Sequence, residues 1–474
     1  MTIAASDVKF RKSMVVSDTT SNGGRKDSEA QVVSGAKHNL FPRVTNAERT
    51  AGVTRYRKQF WCNEDTADEI AYAVSIWLEF PSNGDDRFAM ALGSQTNTQG
   101  DISGSSDILW VGCGQLQTAL SGSETSVIVT MESTDFKAVP GGMLHISDKF
   151  ATSQTVDSDV QIGDSVQYNV DHWEKIAADT DITYPKGLYV GSSVVMTEQG
   201  GTNEEFLTIK DQIVDEDIGT GDGSSTTPTL TDLADITNEV MTESGYLPVV
   251  TATCGSTQRT VNIAANGACS GYCSAGQLNM ADGTWTTDIT WTTAPDNATD
   301  ILISYYDQPW SYSGNNMTIQ LDDAVANSYA TANTYVACCI DVAEVEGTFD
   351  NWGESAAGSG TYDETTYPVD VPSVAEEDTW TLTFTSATEF NIVGTNSGSV
   401  GTGDTSTDAS PTNPKTGRPY FTLDKDGWAD TWATNDYITF KTHPAAVPLW
   451  MREVVPAAAT AVERNLLVLG WYAE

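Results

Sequence analysis

Basic side chains are scarce. Only 24 Lys and Arg stand against 65 Asp and Glu in 474 residues, a formal charge of −41 at neutral pH. A chain this acidic repels a bare phosphate backbone, so nucleic acid is not expected as a partner of its body. Histidine is rarer still: His38, His145, His172 and His443 sit in unrelated contexts. No apolar run approaches the roughly 18 residues of a membrane span, so no membrane partner is expected either. The opening stretch, MTIAASDVKFRKSMVVSD, lacks the apolar core of a secretory signal. Seven Cys spread over this length do not make a disulfide framework, and free thiols fit assembly in a reducing cytoplasm. Helical periodicity is missing too. The least poor candidates follow Asn46 and surround Asp232–Met241.

What is present is β text. Apolar residues make up 39% of the chain and include 13 Trp, enough to offset the entropy of ordering several cores. Short runs rich in Val, Ile, Thr and aromatics read as strands: Val53–Asn63, Ile70–Phe80, Arg87–Leu92, Asp107–Val111, Val127–Met131 and Met143–Ile146. More follow at Val249–Thr253, Thr260–Ile263, Asp288–Thr292, Ile301–Tyr305, Trp380–Thr385, Phe390–Val393, Tyr437–Phe440, Trp450–Val455 and Leu466–Tyr472. Clusters of Gly, Ser, Asn and Asp separate them. The expected fold is all-β, with multidomain β-sandwich or barrel-like modules, an extended N-terminal arm and very little helix.

The acid- and Gly-rich segment DQIVDEDIGTGDGSSTT at 211–227 marks a boundary. Four units are expected: a basic flexible arm at 1–38, an N-terminal β domain at 39–210, an inserted β-sandwich-like module at 211–309, and a C-terminal β domain at 310–474. The last can pack with 39–210 as one discontinuous domain. Gly219–Thr226 and Gly401–Thr407 form a partial repeat, expected to cap strand entries and not to report a duplication.

Charge is unevenly placed. Residues 1–58 hold 11 of the basic groups and five acids, a balance of +6, while the remaining 416 residues carry −47. A basic leader on an acidic body suggests that the leader binds something negative, such as a neighbouring copy of the chain. In the alternating run from Val53, Arg55 and Arg57 face one side and Tyr56 and Lys58 the other. Arginines on one face suit bidentate contacts with a neighbour's carboxylates, which makes Arg43, Arg49, Arg55, Tyr56, Arg57 and Lys58 the candidate interface. Two plainer readings stand beside it: a solvated leader, and a basic edge strand that discourages stray pairing.

Chemistry-bearing motifs are few. There is no G-x-S-x-G elbow, H-E-x-x-H, phosphate-binding loop or dinucleotide fingerprint. Cys269 and Cys273 have a spacing a metal can use, but no His lies between residues 173 and 442 to complete a zinc site. Asp85-Asp86, Asp157 with Asp159, Asp215-Glu216-Asp217, Asp222 and Asp322-Asp323 are loop-like acids of the kind Ca²⁺ uses, though none matches a Ca²⁺-loop pattern. Trp428, Trp432 and Tyr437, near Trp450, and Trp291, Tyr305, Tyr306, Trp310 and Tyr312 suit either glycan contact or cores and seams. No catalytic, cofactor-binding or metal residue is assigned, and no enzymatic activity is expected.

Several segments are familiar. Ile218–Thr227, opening a module that ends Ile301-Leu-Ile-Ser-Tyr-Tyr306, resembles a β-sandwich insert of tailed-bacteriophage structural proteins. Phe41–Arg49, Arg55–Lys58, Gly93–Ile102, Trp450–Ala457 and Leu466–Tyr472 are similar to virion proteins of Mu-like and other contractile-tailed phages. The low Lys count and high acid content depart from that pattern. The resemblance implies a non-enzymatic virion part, a symmetric homo-oligomer in the tail, baseplate or neck, assembled in the host cytoplasm. Its partners would be itself and other phage virion proteins. The alternative it implies is a receptor-binding or fibre-type virion protein contacting host surface glycan.

Overall fold

The computed structural model describes residues 3–4, 6–33, 38–79, 81–82, 84–105, 108–148, 153–157, 193–197, 203–234, 236–332, 334–355, 357–460 and 467–474. Phe80, Asp107, Asp159, His172 and Leu466, named above, lie outside them. The described chain is nearly all β, and its strand ladders are antiparallel. Two short helices are present: α1, Asn46–Ala51, and α2, Gln99–Ile102. No helix forms in 232–241 among the described residues, because its apolar anchors, Leu233, Ile236, Val240 and Met241, are claimed by β packing.

The chain closes on itself through a five-stranded sheet. Its strands are β1 (Val8–Val15), β2 (Gly23–Gln31), β3 (Val53–Asn63), β4 (Arg87–Leu92) and β5 (Ala446–Val455). Their spatial order is β2-β1-β3-β5-β4, so a strand from near the C-terminus lies between two from the N-terminal region. The register sets Lys58 opposite Trp450 and Tyr56 opposite Arg452. Residues 8–31, expected to stay irregular until a partner ordered them, are therefore a hairpin within this sheet. The reason is local: Val8 and Phe10 alternate with polar residues, and β3 offers β1 an open ladder from Val8–Asn63 to Lys12–Gln59. The hairpin's outer strand carries Arg25, Lys26, Asp27 and Glu29, a charged edge of the kind that resists stray pairing.

This sheet, a seven-stranded sheet running from Glu204–Thr208 to Trp310–Ser313, and a three-stranded sheet of Ile340–Val345, Ala71–Leu78 and Leu469–Tyr472 share one core. Trp61, Trp77, Val129, Ile146, Ile319 and Met451 are among its buried members. A second core, with Ile218, Val250, Ile289, Trp291, Ile303 and Tyr305, belongs to strands between Ile213 and Tyr305. A third, with Trp380, Leu382, Phe384, Phe421 and Phe440, belongs to residues 348–443. Strict alternation builds it: in Asp378–Phe384, Trp380, Leu382 and Phe384 point inward while Thr379, Thr381 and Thr383 point outward.

The expected C-terminal unit at 310–474 thus divides. Its first and last parts complete the composite core, and the middle folds on its own between them. No sequence feature marks the crossing points as 211–227 marks the other insert. Of the strand expected at Asp107–Val111, the described residues 108–111 form no strand, and Val111 makes only an isolated bridge to Met90.

Close approach explains one glycine. Gly23 opens β2 at φ +108°, and a Cβ there would lie 2.7 Å from the Trp450 ring. Gly23→Ala therefore meets both a strained backbone and a buried indole, and is expected to destabilise by roughly 1–3 kcal/mol. Chemical denaturation of the two proteins measures it.

Candidate functional site

The candidate interface residues lie on and just before β3. α1 forms because Thr45 and Glu48 make a reciprocal cap. Thr45 Oγ1 accepts from the Glu48 amide at 3.3 Å, and Glu48 accepts from the Thr45 amide at 2.7 Å. The Thr45 contacts, with help from Arg55, hold the Glu48 carboxyl down at about 2. Arg43 is exposed. Arg49 donates to Asn46 Oδ1 at 2.8 Å and to the Ala459 carbonyl at 3.4 Å.

The β3 residues are not displayed to a neighbour. Arg55 is 4% exposed and donates to Glu453 Oε2 at 2.9 Å and to Glu48. Arg57 pairs with Asp18 at 2.7 Å, donates to the Ser17 carbonyl, and lies over the Phe41 ring. Lys58 is buried, and its ammonium donates to the carbonyls of Gly24, Asn97 and Gln95 at 2.7, 3.0 and 3.3 Å. The register that sets Trp450 opposite Lys58 brings its ring to 5.8 Å from the Lys58 nitrogen. Tyr56 is half-buried against Trp110.

Arg55, Arg57 and Lys58 all find partners within the chain, although Arg57 Nε is buried without one. The expected alternation is present, but both faces of β3 are covered.

Of the acids that meet them, Glu48 and Asp18 are near in sequence, but Glu453 was not legible as a partner. Glu453 lies 398 positions from Arg55. One signal was available: Glu453 is the lone acid in the apolar run Trp450–Val455, where a buried carboxylate needs a cation.

Other flagged residues serve packing. His145 is buried, bonds Glu204 at 2.8 Å and lies against Trp77 and Phe206. His443 lies between Glu377 and Asp350, and the Glu377 hydrogen bond raises its pKa. Trp291, Tyr305, Trp310, Trp432 and Trp450 are buried, with Trp432 stacked on Phe384 at 4.3 Å. Tyr306, Tyr312 and Trp428 are half-buried, and Tyr437 is exposed. Cys269 and Cys273 are half-buried free thiols. Among the described residues no group of three His, Cys, Asp or Glu is placed to hold a metal ion. An open hollow of about 490 Å³ lies on the third-core unit, lined by Thr385, Glu389, Phe390, Asp404, Asp408 and Pro411. Comparison of the chain with protein-family models, curated proteins and solved structures found no match.

Two expectations follow from β3. Arg55→Met leaves Glu453 buried without its cation and should cost roughly 3–5 kcal/mol, whereas Arg55→Met with Glu453→Met should recover most of that. A double-mutant cycle by denaturant unfolding measures both. Lys58 supplies the pH dependence, because burial pushes its amine down from the ordinary 10.5 to about 7. Between those values the unfolded chain holds a proton that the folded chain has released, so Lys58 makes stability rise with pH across that window. Below about 7 both states are protonated and the full cost of burying the charge remains. Lys58→Met should therefore be most favourable, relative to the parent, below pH 7, with the gap narrowing steadily as pH rises toward 10.5.

Proposed function

We propose that the protein is a non-enzymatic structural component of a tailed-phage virion, built into the tail, baseplate or neck as a symmetric homo-oligomer. One observation supports this reading most. Two self-cored β modules are carried as insertions on a single composite body, which multiplies outward surface for neighbours to contact. The sequence resemblance to contractile-tailed phage proteins supplies the particle. Its partners are copies of itself and other virion proteins.

The way copies meet differs from a basic arm clasping an acidic neighbour. Arg55, Arg57 and Lys58 are committed inside the chain, so most of what one copy shows another is acid. Like charges then oppose assembly, and salt assists it by screening them.

Sedimentation of the purified chain should give a discrete oligomer whose population grows from about 50 mM to 500 mM salt, a range over which the screening length shortens about threefold. An antibody against the chain should decorate tailed particles from the strain that encodes it. A chain that stays monomeric throughout and is absent from purified particles ends this reading.

A further inference from the structure

The third-core unit, residues 346–445, does not join the body through a shared apolar core. Alternation turns Lys58, Phe60 and Cys62 away from Trp61 and the composite core, onto the sheet face that the unit meets at Ser28, and the hydrogen bonds and ion pairs joining the unit to the body are polar. Ser28 donates to Glu376 at 2.8 Å, and Arg25 stands 3.9 Å from the same carboxylate. Arg418 reaches back to Asp68 and to the Asp65 carbonyl, and Asp68 also accepts from the Ser373 amide at 2.7 Å. Lys415 faces Glu29 at 3.9 Å. Glu377 is close enough to act on the Lys58 ammonium.

The apolar part of this face is small. Phe60, Cys62 and Ala446 form a cluster of their own, separate from the three large cores. Both connections to the body are short: residues 346–347 follow Ile340–Val345, and Pro444-Ala445 precede β5. Interfaces held by polar contacts, without a large hydrophobic core, are those at which domains move.

We propose that residues 346–445 form a hinged unit, latched to the five-stranded sheet by Glu376 and Asp68, which opens while all three cores stay folded. Opening uncovers Arg25, Lys26 and Lys58, a cationic face concealed on an acidic chain, and brings water to Cys62. The hinge is a property of one chain and does not depend on the virion assignment.

The chain carries its own reporters. Cys62 lies in the small cluster beneath the unit, whereas Cys113, Cys338 and Cys339 lie in the composite core, and all four are buried free thiols. Alkylation of the native full-length protein by iodoacetamide, read by peptide mass spectrometry, separates local opening from global unfolding. Cys62 should react roughly tenfold or more faster than the three core thiols, because local opening costs less than unfolding. Glu376→Gln combined with Asp68→Asn should speed Cys62 further while leaving the core thiols unchanged. Should Cys62 react only in step with Cys113, Cys338 and Cys339 in both proteins, there is no hinge. If the double variant accelerates all four thiols together, the latch is a general stability element and the proposal fails. A thermal scan of the same samples shows whether the variant is folded at the labelling temperature.

Discussion

Burying cations on β3 is the constraint around which the molecule is arranged. A strand flanked by β1 and β5, with packing on both faces, leaves no water for Arg55, Arg57 or Lys58. Each buried charge must then find a compensating group or abandon its proton. Arg55 takes Glu453 from the adjacent strand and Glu48 from α1. Arg57 takes Asp18 from the hairpin turn. Lys58 takes three carbonyls, two of them from the 95–97 loop. Because these partners come from residues 18, 24, 48, 95, 97 and 453, satisfying one strand fixes the hairpin, the first helix, a loop and the closing strand together.

The same economy explains why the three cores are unequal in how they attach. The composite body closes by burying aromatic and aliphatic side chains from both ends of the chain, and the insert between Ile213 and Tyr305 reaches it through contacts such as Tyr246 against Tyr306. The unit at 346–445 meets a sheet face already occupied by charge. It answers with Glu376 and Glu377 instead of apolar side chains. A carboxylate seam is directional and needs few atoms, but it supplies little of the non-directional drive that holds a core together.

Most of the β architecture was legible because alternation is a local property. Trp380, Leu382 and Phe384 announce a half-buried strand without knowledge of what covers it. The partial repeat was legible in chemistry but misplaced in position. Asp222 accepts from the Ser224 and Ser225 amides and Asp404 from the Ser406 amide, yet both turns follow strands instead of preceding them. The hairpin at 8–31 was hidden by its composition, since a polar outer strand looks like a leader until its neighbour is known. The candidate site was half legible: β3 reads as a strand with faces and two of its acids, Asp18 and Glu48, are near in sequence, but Glu453, which meets Arg55 in the interior, lies 398 positions away. No local pattern reports a pairing of that span.

The charge asymmetry between the leader and the rest therefore has a different meaning from the one its linear arrangement suggests. Read along the chain, +6 beside −47 looks like two surfaces seeking each other across an interface. Folded, several of the leader's cations are buried or half-buried and are answered by acids of the same molecule, among them buried Arg55 with Glu453 and half-buried Arg11 with Glu64. Pairing in the interior removes acids and bases in equal number from what a neighbour meets, so the excess negative charge stays outside. A chain of this kind resists self-association in dilute salt. Were two copies to meet, their contacts would rest on uncharged patches, with ionic strength deciding how close they come.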